Sequence, residues 1–472
     1  MIRSARPASA RTLPAQRTQR QSIVAALVIW VLIIIMIVPD SFSYGPAAVG
    51  MPTQGTALSR FIWIGLLVFG VVVALSRSAM ALKLLRQVNP YLLVFVALAA
   101  ASVLWSIDPG VTLRRVLRVV TMLMVSIAFV LMSWQTTRFQ NVIRPILTLL
   151  LVGSIIFVIM APELAIDQSD YAALVGAWHG LATQKNGLGS LASIALILWL
   201  HAWLSKERPW WMASFGVAVS LICLVNSRSS TSLMNAAFSC PLLYMLMRPP
   251  VALRRYLPHL IVLFVVALLV YSLAVLNLIP GSNALLSPIT MLTGKDQTFS
   301  GRTAIWAIVN EHIAQRPILG SGYGAYWVLL PQSPSMEMQR RLFFYPTEGH
   351  NGYLDIINDL GVVGALCLLG YLIVYLRQGL RLLVTLRPQG VLYLILMFDQ
   401  LIANLTESRW LNVLTCEFTI MTIATIAIAK TLLDQKKKIQ SPTLDQKKNM
   451  QSAPSSRAAR GRLKTPVRPR IS

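Results

Sequence analysis

Long apolar runs alternate with short polar connections along most of this chain. Twelve of the runs approach the roughly 20 helical residues needed to cross a bilayer core about 30 Å thick. They lie at 22–38, 58–75, 91–106, 113–133, 143–161, 186–204, 211–226, 229–247, 256–280, 353–376, 389–405 and 411–433. Because an open sheet would leave backbone groups unpaired in lipid, the pattern predicts an all-α polytopic membrane protein with about 12 transmembrane helices.

The apolar runs and the polar stretches divide the chain into five predicted segments. The segments are a basic cytoplasmic tail at 1–21, transmembrane helices 1–9 within 22–280, a large extracytoplasmic loop at 281–351, transmembrane helices 10–12 within 352–433, and a disordered basic cytoplasmic tail at 434–472. The first apolar run ends in ProAsp rather than in a cleavage site, which favours a membrane anchor. An eleven-residue repeat in the last tail predicts docking to the inner leaflet, or reflects a duplication without function.

Composition excludes an ordinary soluble protein. Of the 472 residues, 56% are hydrophobic and 12% are charged, whereas charged residues make up about a quarter of soluble domains. The net charge of +25 would suit nucleic acid, but five of the 42 Lys and Arg lie in residues 1–21 and eleven in 434–472. Anionic membrane lipids explain basic cytoplasmic tails more simply, so no nucleic-acid partner is expected. The four cysteines lie in apolar runs without CxxC spacing and predict neither disulfides nor a metal site.

Lys and Arg cluster in alternate connections, and short loops rich in these residues stay in the cytoplasm. The clusters lie at 77–86, 138–144, 206–208, 248–255 and 377–387. Both termini are therefore predicted to be cytoplasmic and the loop at 281–351 to be extracytoplasmic. That loop nevertheless keeps five cations, which an anionic substrate would explain, although long loops also cross regardless of charge. The five are Lys295, Arg302, Arg316, Arg340 and Arg341.

Ionisable residues also occur at the predicted outer ends of several spans. Each costs roughly several kcal/mol in hydrocarbon unless it faces water or a partner. They are Arg114, Arg115, Arg118, Asp355, Asp359, Asp399, Glu407 and Glu417. A cavity open to the outside explains them better than a transport path, which would need polar residues through the inner half as well. Salt bridges between helices without a functional role are the alternative.

The large loop holds a stretch with apolar residues at helical spacing after GlyArgThr. Ile305, Trp306, Ile308, Val309 and Ile313 predict an amphipathic helix at the membrane surface. The glycines at 320, 322 and 324 do not complete GxGxxG, and no strand precedes them. They therefore predict tight turns rather than a nucleotide site.

The segment GHNGYLDIINDLG at 349–361 leads from the loop into the tenth span. Asn351 is predicted to cap that helix, whose N-terminus carries partial positive charge. This charge would favour a neutral imidazole at His350, which could accept a proton or a hydrogen bond. A capping or interface role for His350 is the alternative.

These stretches resemble the O-antigen ligase and polymerase superfamily, and most closely its succinoglycan-type exopolysaccharide polymerases. The similar motifs are WSIDPGVTLRR at 105–115, TQKNGLG at 183–189, SerArgSer at 227–229, GlyArgThr at 301–303, HNGYL at 350–354 and NLTESRW at 404–410. The resemblance covers roughly residues 90–425. Gln184 stands where many relatives have His, so no proton transfer is expected there.

The resemblance implies a helical fold like that of C-type glycosyltransferases. It implies an enzyme of the bacterial inner membrane that couples glycans carried on undecaprenyl pyrophosphate, at the periplasmic face and without a metal ion or other cofactor. The essential arginine pair and histidine of the family correspond to Arg228, Arg302 and His350. The topology predicted from loop charge places all three on the outer face, independently of the motifs.

A mechanism follows as a hypothesis. Arg228 and Arg302 would bind the diphosphate through charge-assisted hydrogen bonds, with Lys185 in support. His350 would orient or deprotonate the attacking hydroxyl, with inversion at the anomeric carbon. Four further residues are substrate-binding candidates, and for the last two a structural pairing with an arginine is the alternative. The four are Arg118, Asn351, Asp355 and Glu407.

Three functions are compatible with these sequence features. The first is polymerisation of lipid-linked repeat units into exopolysaccharide, with polysaccharide chain-length or export proteins as candidate partners. The second is a ligase that moves finished glycan to another acceptor. The third, from a different class, is a transporter or flippase of lipid-linked sugars, which would need polar residues in the inner half of the bundle.

Overall fold

The computed structural model describes residues 12–42, 44, 56–168, 174–275, 302–328 and 333–452. Within these ranges the regular structure is helical, with one isolated antiparallel bridge between Ile166 and Trp178. The all-α prediction is therefore confirmed. The predicted segments at 1–11, 276–301, 329–332 and 453–472 lie outside the described residues.

The helices follow the apolar runs closely. In chain order they are α1 (Thr12–Ile37), α2 (Ala57–Ser76), α3 (Ser78–Leu85), α4 (Pro90–Ala101), α5 (Pro109–Met132), α6 (Arg138–Met160), α7 (Pro162–Ala165), α8 (Lys185–Leu204), α9 (Trp210–Asn226), α10 (Ser230–Met247), α11 (Leu257–Val275), α12 (Arg302–Gln315), α13 (Met336–Leu342), α14 (Gly352–Thr385), α15 (Arg387–Ala403) and α16 (Cys416–Ser452). Each of the twelve predicted runs contains one of these helices, so the chain is a multi-pass membrane protein.

The number of membrane crossings is less definite than the number of helices. Among the described residues, seven helices are long and apolar enough to cross a membrane. The count rises to eight if α3 and α4, which are bent by 100° about the turn between them, form one broken span. Two further apolar helices, Trp210–Asn226 and Leu257–Ser272, are shorter than a bilayer core requires. The twelve predicted crossings therefore stay a prediction.

The predicted tails are partly helical. The first helix begins at Thr12, inside the segment expected to be a plain tail. The last helix continues to Ser452, beyond Leu433, where the apolar run ends and disorder was expected. The apolar runs therefore do not mark the ends of these two helices, because the helical backbone continues into the neighbouring polar residues.

Burial separates central helices from peripheral ones. The most apolar window of α16 is 89% buried and that of α8 is 72% buried, whereas that of α2 is only 17% buried. Most side chains of α15 are also buried. Polar groups within the apolar parts of α8, α15 and α16 therefore face other helices rather than lipid.

The helical backbone of α14 is interrupted near its start, at Gly361. Gly361 has a φ of 64°, which breaks the ladder and leaves the carbonyls of Asn358 and Asp359 free for other donors. These carbonyls accept the N–H groups of Ser321 (3.0 Å) and Gly322 (2.9 Å). In return, the N–H of Val362 donates to the carbonyl of Pro317 at 2.9 Å. These hydrogen bonds hold the loop after α12 against α14.

Glycines make this close backbone contact possible, in agreement with the tight turns that the sequence predicted. The glycines at 320, 322 and 324 all have φ between 67° and 94°, where other residues are strained. A side chain on Gly320 or Gly322 would also collide with the backbone of Asp359 or with Ser106. The prediction of tight turns at these glycines is confirmed.

Replacing Gly361 with Ala should destabilise the fold by about 2 kcal/mol or more, because it combines a strained φ with overpacking. The added Cβ would lie 2.1 Å from the carbonyl oxygen of Ile318. Gly65→Ala is the matched control, since a Cβ there meets nothing within 4 Å. Thermal unfolding in detergent should show a lower midpoint for Gly361→Ala alone. Equal midpoints for the two variants would contradict the kinked packing.

Candidate functional site

Six helix ends meet at one end of the bundle. They are the N-terminal ends of α8, α10, α14 and α16 and the C-terminal ends of α9 and α15. The connection from α15 to α16, residues 404–415, packs across the start of α14. Helix N-termini carry partial positive charge, so four of them create a region that favours anions.

A buried carboxylate, Glu407, lies at the centre of this region. Only 2% of its side chain is exposed. Its Oε1 accepts hydrogen bonds from Asn186 Nδ2 at 2.9 Å and from Arg302 Nη2 at 3.3 Å. Its Oε2 lies 3.7 Å from Nδ1 of His350 and 3.9 Å from Nη2 of Arg409. Glu407 therefore brings two predicted site residues, Arg302 and His350, into one cluster.

The imidazole of His350 lies between two carboxylates. Nδ1 is 3.2 Å from Oε1 of Glu348 and 3.7 Å from Oε2 of Glu407. Burial alone would lower the pKa of His350, but the two neighbouring carboxylates outweigh burial and raise it to about 10. The neutral imidazole expected from the helix N-terminus is therefore wrong at neutral pH. The nearby negative charges dominate over the partial charge of one helix end.

Glu407 responds in the opposite sense. Burial alone would raise the pKa of Glu407, but His350, Arg409 and Arg302 outweigh it and hold that pKa well below its usual range. The cluster is therefore an ionised carboxylate surrounded by cations. One of its cations, Arg409, also bonds Glu417 through Nη1 at 2.7 Å and lies between both carboxylates with 10% of its side chain exposed.

The start of α14 holds His350 in place. Asn351 is the N-cap, and its Oδ1 accepts the N–H groups of Tyr353 and Leu354, both at 3.1 Å. The predicted cap is thus confirmed. The N–H of Gly352 donates to the carbonyls of Asn404 and Glu407, both at 3.0 Å. Since a Cβ on Gly352 would lie 1.9 Å from Oδ1 of Asn404, only glycine allows this approach.

The substrate-binding role predicted for Asn351 has less room than its capping role. The residue is fully buried, and its side-chain oxygen is used by the helix. Its Nδ2 has no hydrogen-bond partner among the described residues. Only this amide group is left for a substrate.

Asp355 positions the loop that carries His350. Its Oδ2 accepts the N–H of Gly349 at 3.0 Å, and its Oδ1 accepts Nε1 of Trp327 at 3.0 Å. The carbonyl of Gly349 in turn accepts Nε1 of Trp306 from α12 at 2.8 Å. Asp355 therefore fixes the backbone beside His350. Its partners are a backbone N–H and a Trp side chain, not the arginine that the structural alternative predicted.

Arg228 occupies the turn between α9 and α10 with a φ of 49°. Its exposed guanidinium donates from Nη1 to the carbonyl of Val175 at 2.7 Å. The adjacent Ser229 donates to Oδ1 of Asn186 at 2.9 Å, and Asn186 bonds Glu407. The turn of Arg228 is therefore connected to the cluster through two hydrogen bonds, although its guanidinium does not touch Glu407.

The two remaining predicted residues differ in placement. Lys185, at the start of α8, lies within electrostatic range of Arg228 and Glu407. Arg118 instead stacks over the ring of Trp63, 5.4 Å from its centroid, on the side of α5 that meets α2. The structure thus brings Lys185 towards the cluster and does not bring Arg118 there.

Three residues of the cluster were not singled out from the sequence. Glu348, Asn186 and Arg409 lie in the segments EGHN, QKNG and ESRW, next to residues that were. Each of the three lies within two positions of a predicted site residue, and this adjacency to a candidate is the signal that could have identified them.

Polar groups continue from the cluster into the bundle. Glu417 of α16 accepts a short hydrogen bond from Ser190 of α8, beside its ion pair with Arg409. Asp399 of α15 accepts from Asn235 Nδ2 at 2.6 Å and from Ser193 at 3.3 Å. These acids therefore have partners on other helices, which is what polar groups need inside a membrane.

Glu348, His350 and Glu407 are also the described residues best placed to hold a cation. Their nearest ligand atoms lie within 4.8 Å of one another. One observation opposes a metal ion there: Arg302 and Arg409 lie 3.3 Å and 3.9 Å from Glu407 and already neutralise its charge. An anion facing the cationic side of the cluster fits the arrangement better.

The charge state of His350 can be tested directly. Diethyl pyrocarbonate modifies neutral imidazole, so His350 should react slowly at pH 7 in the wild type. Glu348→Gln should accelerate its modification by about tenfold for each unit by which the pKa falls. Mass spectrometry of the peptides would measure both rates, with the exposed His259 as the internal control. Rapid modification of His350 in the wild type would contradict a protonated imidazole.

Two comparisons bear on this geometry. A family model described as O-antigen ligase matches residues 215–369, which include Arg228, Arg302 and His350. The exopolysaccharide production protein ExoQ of Rhizobium meliloti (strain 1021) is 27% identical over 330 residues, which cover 66% of this chain and 72% of ExoQ. The motifs, the helical membrane fold and both comparisons agree. Residues 215–369 therefore resemble the O-antigen ligase family, and the chain is similar to ExoQ over 330 residues.

Proposed function

We propose that the protein polymerises undecaprenyl-pyrophosphate-linked oligosaccharide repeat units into exopolysaccharide at the periplasmic face. The reaction is a metal-independent, inverting glycosyl transfer. The superfamily supports an O-antigen ligase or polymerase type of activity, and similarity to ExoQ favours exopolysaccharide as the product. In this proposal the protein lies in the inner membrane with both termini cytoplasmic, and chain-length or export proteins are its candidate partners.

One observation carries the proposal. Glu407 holds Arg302 and His350 in one buried cluster, and the turn of Arg228 is bonded to that cluster through Asn186. A diphosphate needs several cations in fixed positions, and Arg is suited to phosphate because its guanidinium offers two parallel donors. Arg302 and Arg228 take this role, and Lys185 adds charge from the start of α8.

The leaving group gains charge as the bond between the anomeric carbon and the diphosphate oxygen breaks. Cations fixed before the reaction stabilise that charge without having to reorganise. The N-terminal ends of α8, α10, α14 and α16 add partial positive charge at the same end of the bundle. This arrangement replaces the divalent ion that many phosphate-leaving reactions use.

A protonated His350 changes the mechanism expected from the sequence. A cationic imidazole cannot accept a proton, so it binds a phosphate oxygen or orients the acceptor hydroxyl. Glu348, 3.2 Å from the imidazole and only partly buried, is the available proton acceptor. The hydroxyl oxygen attacks the anomeric carbon opposite the diphosphate, its proton passes to Glu348, and the bonding electrons leave with the diphosphate.

A ligase is the second candidate, because the matching family model is described as O-antigen ligase. The donor chemistry would be the same in both cases. The two functions differ only in the acceptor, which is the growing polymer for a polymerase and another glycolipid for a ligase. Product analysis with each acceptor distinguishes them.

Replacing Arg302 with Ala should lower the rate of polymer formation by about a hundredfold or more, because a fixed cation at the leaving group is lost. Arg302→Lys should retain part of the activity. Arg316→Ala is the matched control, since Arg316 is an exposed arginine just beyond the other end of α12. The measurement is polymer yield in cells lacking the native gene, together with the side on which lipid-linked repeat units accumulate.

Accumulation outside the cytoplasm in the Arg302→Ala strain would support the polymerase. Accumulation inside would indicate a transporter or flippase. Full activity of Arg302→Ala, or equal loss in Arg316→Ala, would contradict the assignment of Arg302.

The pH dependence of activity should follow the cationic form of His350. Its pKa is raised to about 10, so the imidazole is protonated at neutral pH and loses its proton only above about pH 10. The rate of elongation by purified protein in liposomes should therefore hold from neutral pH to about pH 9 and fall above pH 10. A rate that climbs steadily to pH 10 would instead identify neutral His350 as the base.

The same liposome assay tests the absence of a metal requirement. Elongation should survive a chelator, because the fixed cations replace a divalent ion. Strict dependence on added divalent ion would instead assign Glu348, His350 and Glu407 as metal ligands.

A further inference from the structure

A groove of about 600 Å³ lies far from the Glu407 cluster, between the C-terminal half of α14 and α16. Two hydrogen bonds join the elements that surround it. Lys436 donates to Oε1 of Gln87 at 2.7 Å, and Gln435 donates to Oγ1 of Thr385 at 3.0 Å. The groove is therefore a built feature of three elements rather than a gap between loose chains.

The groove and the cluster lie at opposite ends of α14. Gly352 starts that helix beside His350, and Arg381 lies 29 residues later, which is roughly 40 Å at 1.5 Å per residue. This length exceeds the bilayer core of about 30 Å. What binds in the groove is therefore distinct from the donor bound at the cluster.

Positive charge surrounds the groove without a carboxylate to balance it. Among the described residues that line it, three are cationic and none is acidic. Arg377 and Arg381 are one helical turn apart on α14 and both exposed, a spacing at which like charges repel. Lys436 faces them from α16, whereas the nearby Asp434 is already paired with Lys430. An anion between these cations would relieve the repulsion.

The surface between the cations is apolar. Leu380, Val384 and Leu432 line the groove, and Val384 remains 80% exposed. The aliphatic stems of the arginines extend this surface while their charged ends reach outwards. A ligand with an anionic head and a hydrocarbon chain matches both parts.

We propose that this groove binds one anionic glycerophospholipid of the surrounding leaflet. The phosphate lies among Arg377, Arg381 and Lys436, and an acyl chain lies along Leu380, Val384 and Leu432. Basic pockets between membrane helices bind anionic lipid headgroups by the same physics. The segment at 453–472 is itself basic, so its charge does not complement these cations.

Native mass spectrometry of the purified full chain tests the site. Titration with phosphatidylglycerol should give one retained lipid per chain, whereas phosphatidylcholine should not be retained. The double variant Arg377→Gln/Arg381→Gln should weaken phosphatidylglycerol binding by about tenfold or more. The matched control is Arg254→Gln/Arg255→Gln, which removes two exposed arginines outside the groove and should leave binding unchanged.

Three outcomes would overturn the proposal. The first is equal retention of both lipids, and the second is equal weakening in the two double variants. The third is displacement of phosphatidylglycerol by undecaprenyl phosphate at lower concentration, which would make the groove a carrier-lipid site instead. Unchanged thermal unfolding midpoints of the lipid-free variants would show that both double variants remain folded.

Discussion

The site depends on one buried carboxylate. An ionised group with 2% of its side chain exposed is costly unless cations and hydrogen-bond donors surround it. Glu407 meets this requirement with Arg302, Arg409, His350 and Asn186, which come from four separate parts of the chain. Its need for partners therefore explains why segments far apart in sequence converge at one end of the bundle. Two of these partners, Arg302 and His350, are held in place before any substrate arrives and are among the groups proposed to bind a diphosphate.

Backbone constraint adds to this preorganisation. His350, Arg228 and Leu411 all hold left-handed φ values near 50°, which non-glycine residues seldom adopt. Such strain is of order 1–3 kcal/mol per residue and persists only where the surroundings fix it. Here the surroundings are the cap of α14, the hydrogen bonds of Asp355 to Gly349, and the glycine contact at Gly352. The fold thus fixes the direction of the His350 side chain through its backbone.

The sequence predicted the helices, including α12, the cap at Asn351 and the glycine turns, because each depends on residues close together in the chain. It did not predict the raised pKa of His350. Glu348, two positions earlier, is the larger cause of that shift, and Glu407, 57 positions further on, comes close only through tertiary packing. The sequence predicted substrate binding by Asp355, with pairing to an arginine as the alternative, whereas the carboxylate accepts hydrogen bonds from a backbone N–H and from Trp327. It grouped Arg118 with the site because the charge lies at the right depth, although α5 turns that side chain towards Trp63.

Charged residues lie at both ends of α14. At the N-terminal end they pair with one another, whereas at the C-terminal end the cations have no acidic partner among the described groove residues. The first end carries the central claim, which is that Glu407 assembles a binding site for a diphosphate. A cryo-electron microscopy structure with a non-hydrolysable lipid diphosphate tests it most directly. We expect the diphosphate to lie between Arg228 and Arg302, with His350 within hydrogen-bond distance of the diphosphate. A diphosphate bound elsewhere, with Arg302 turned away from Glu407, would contradict it.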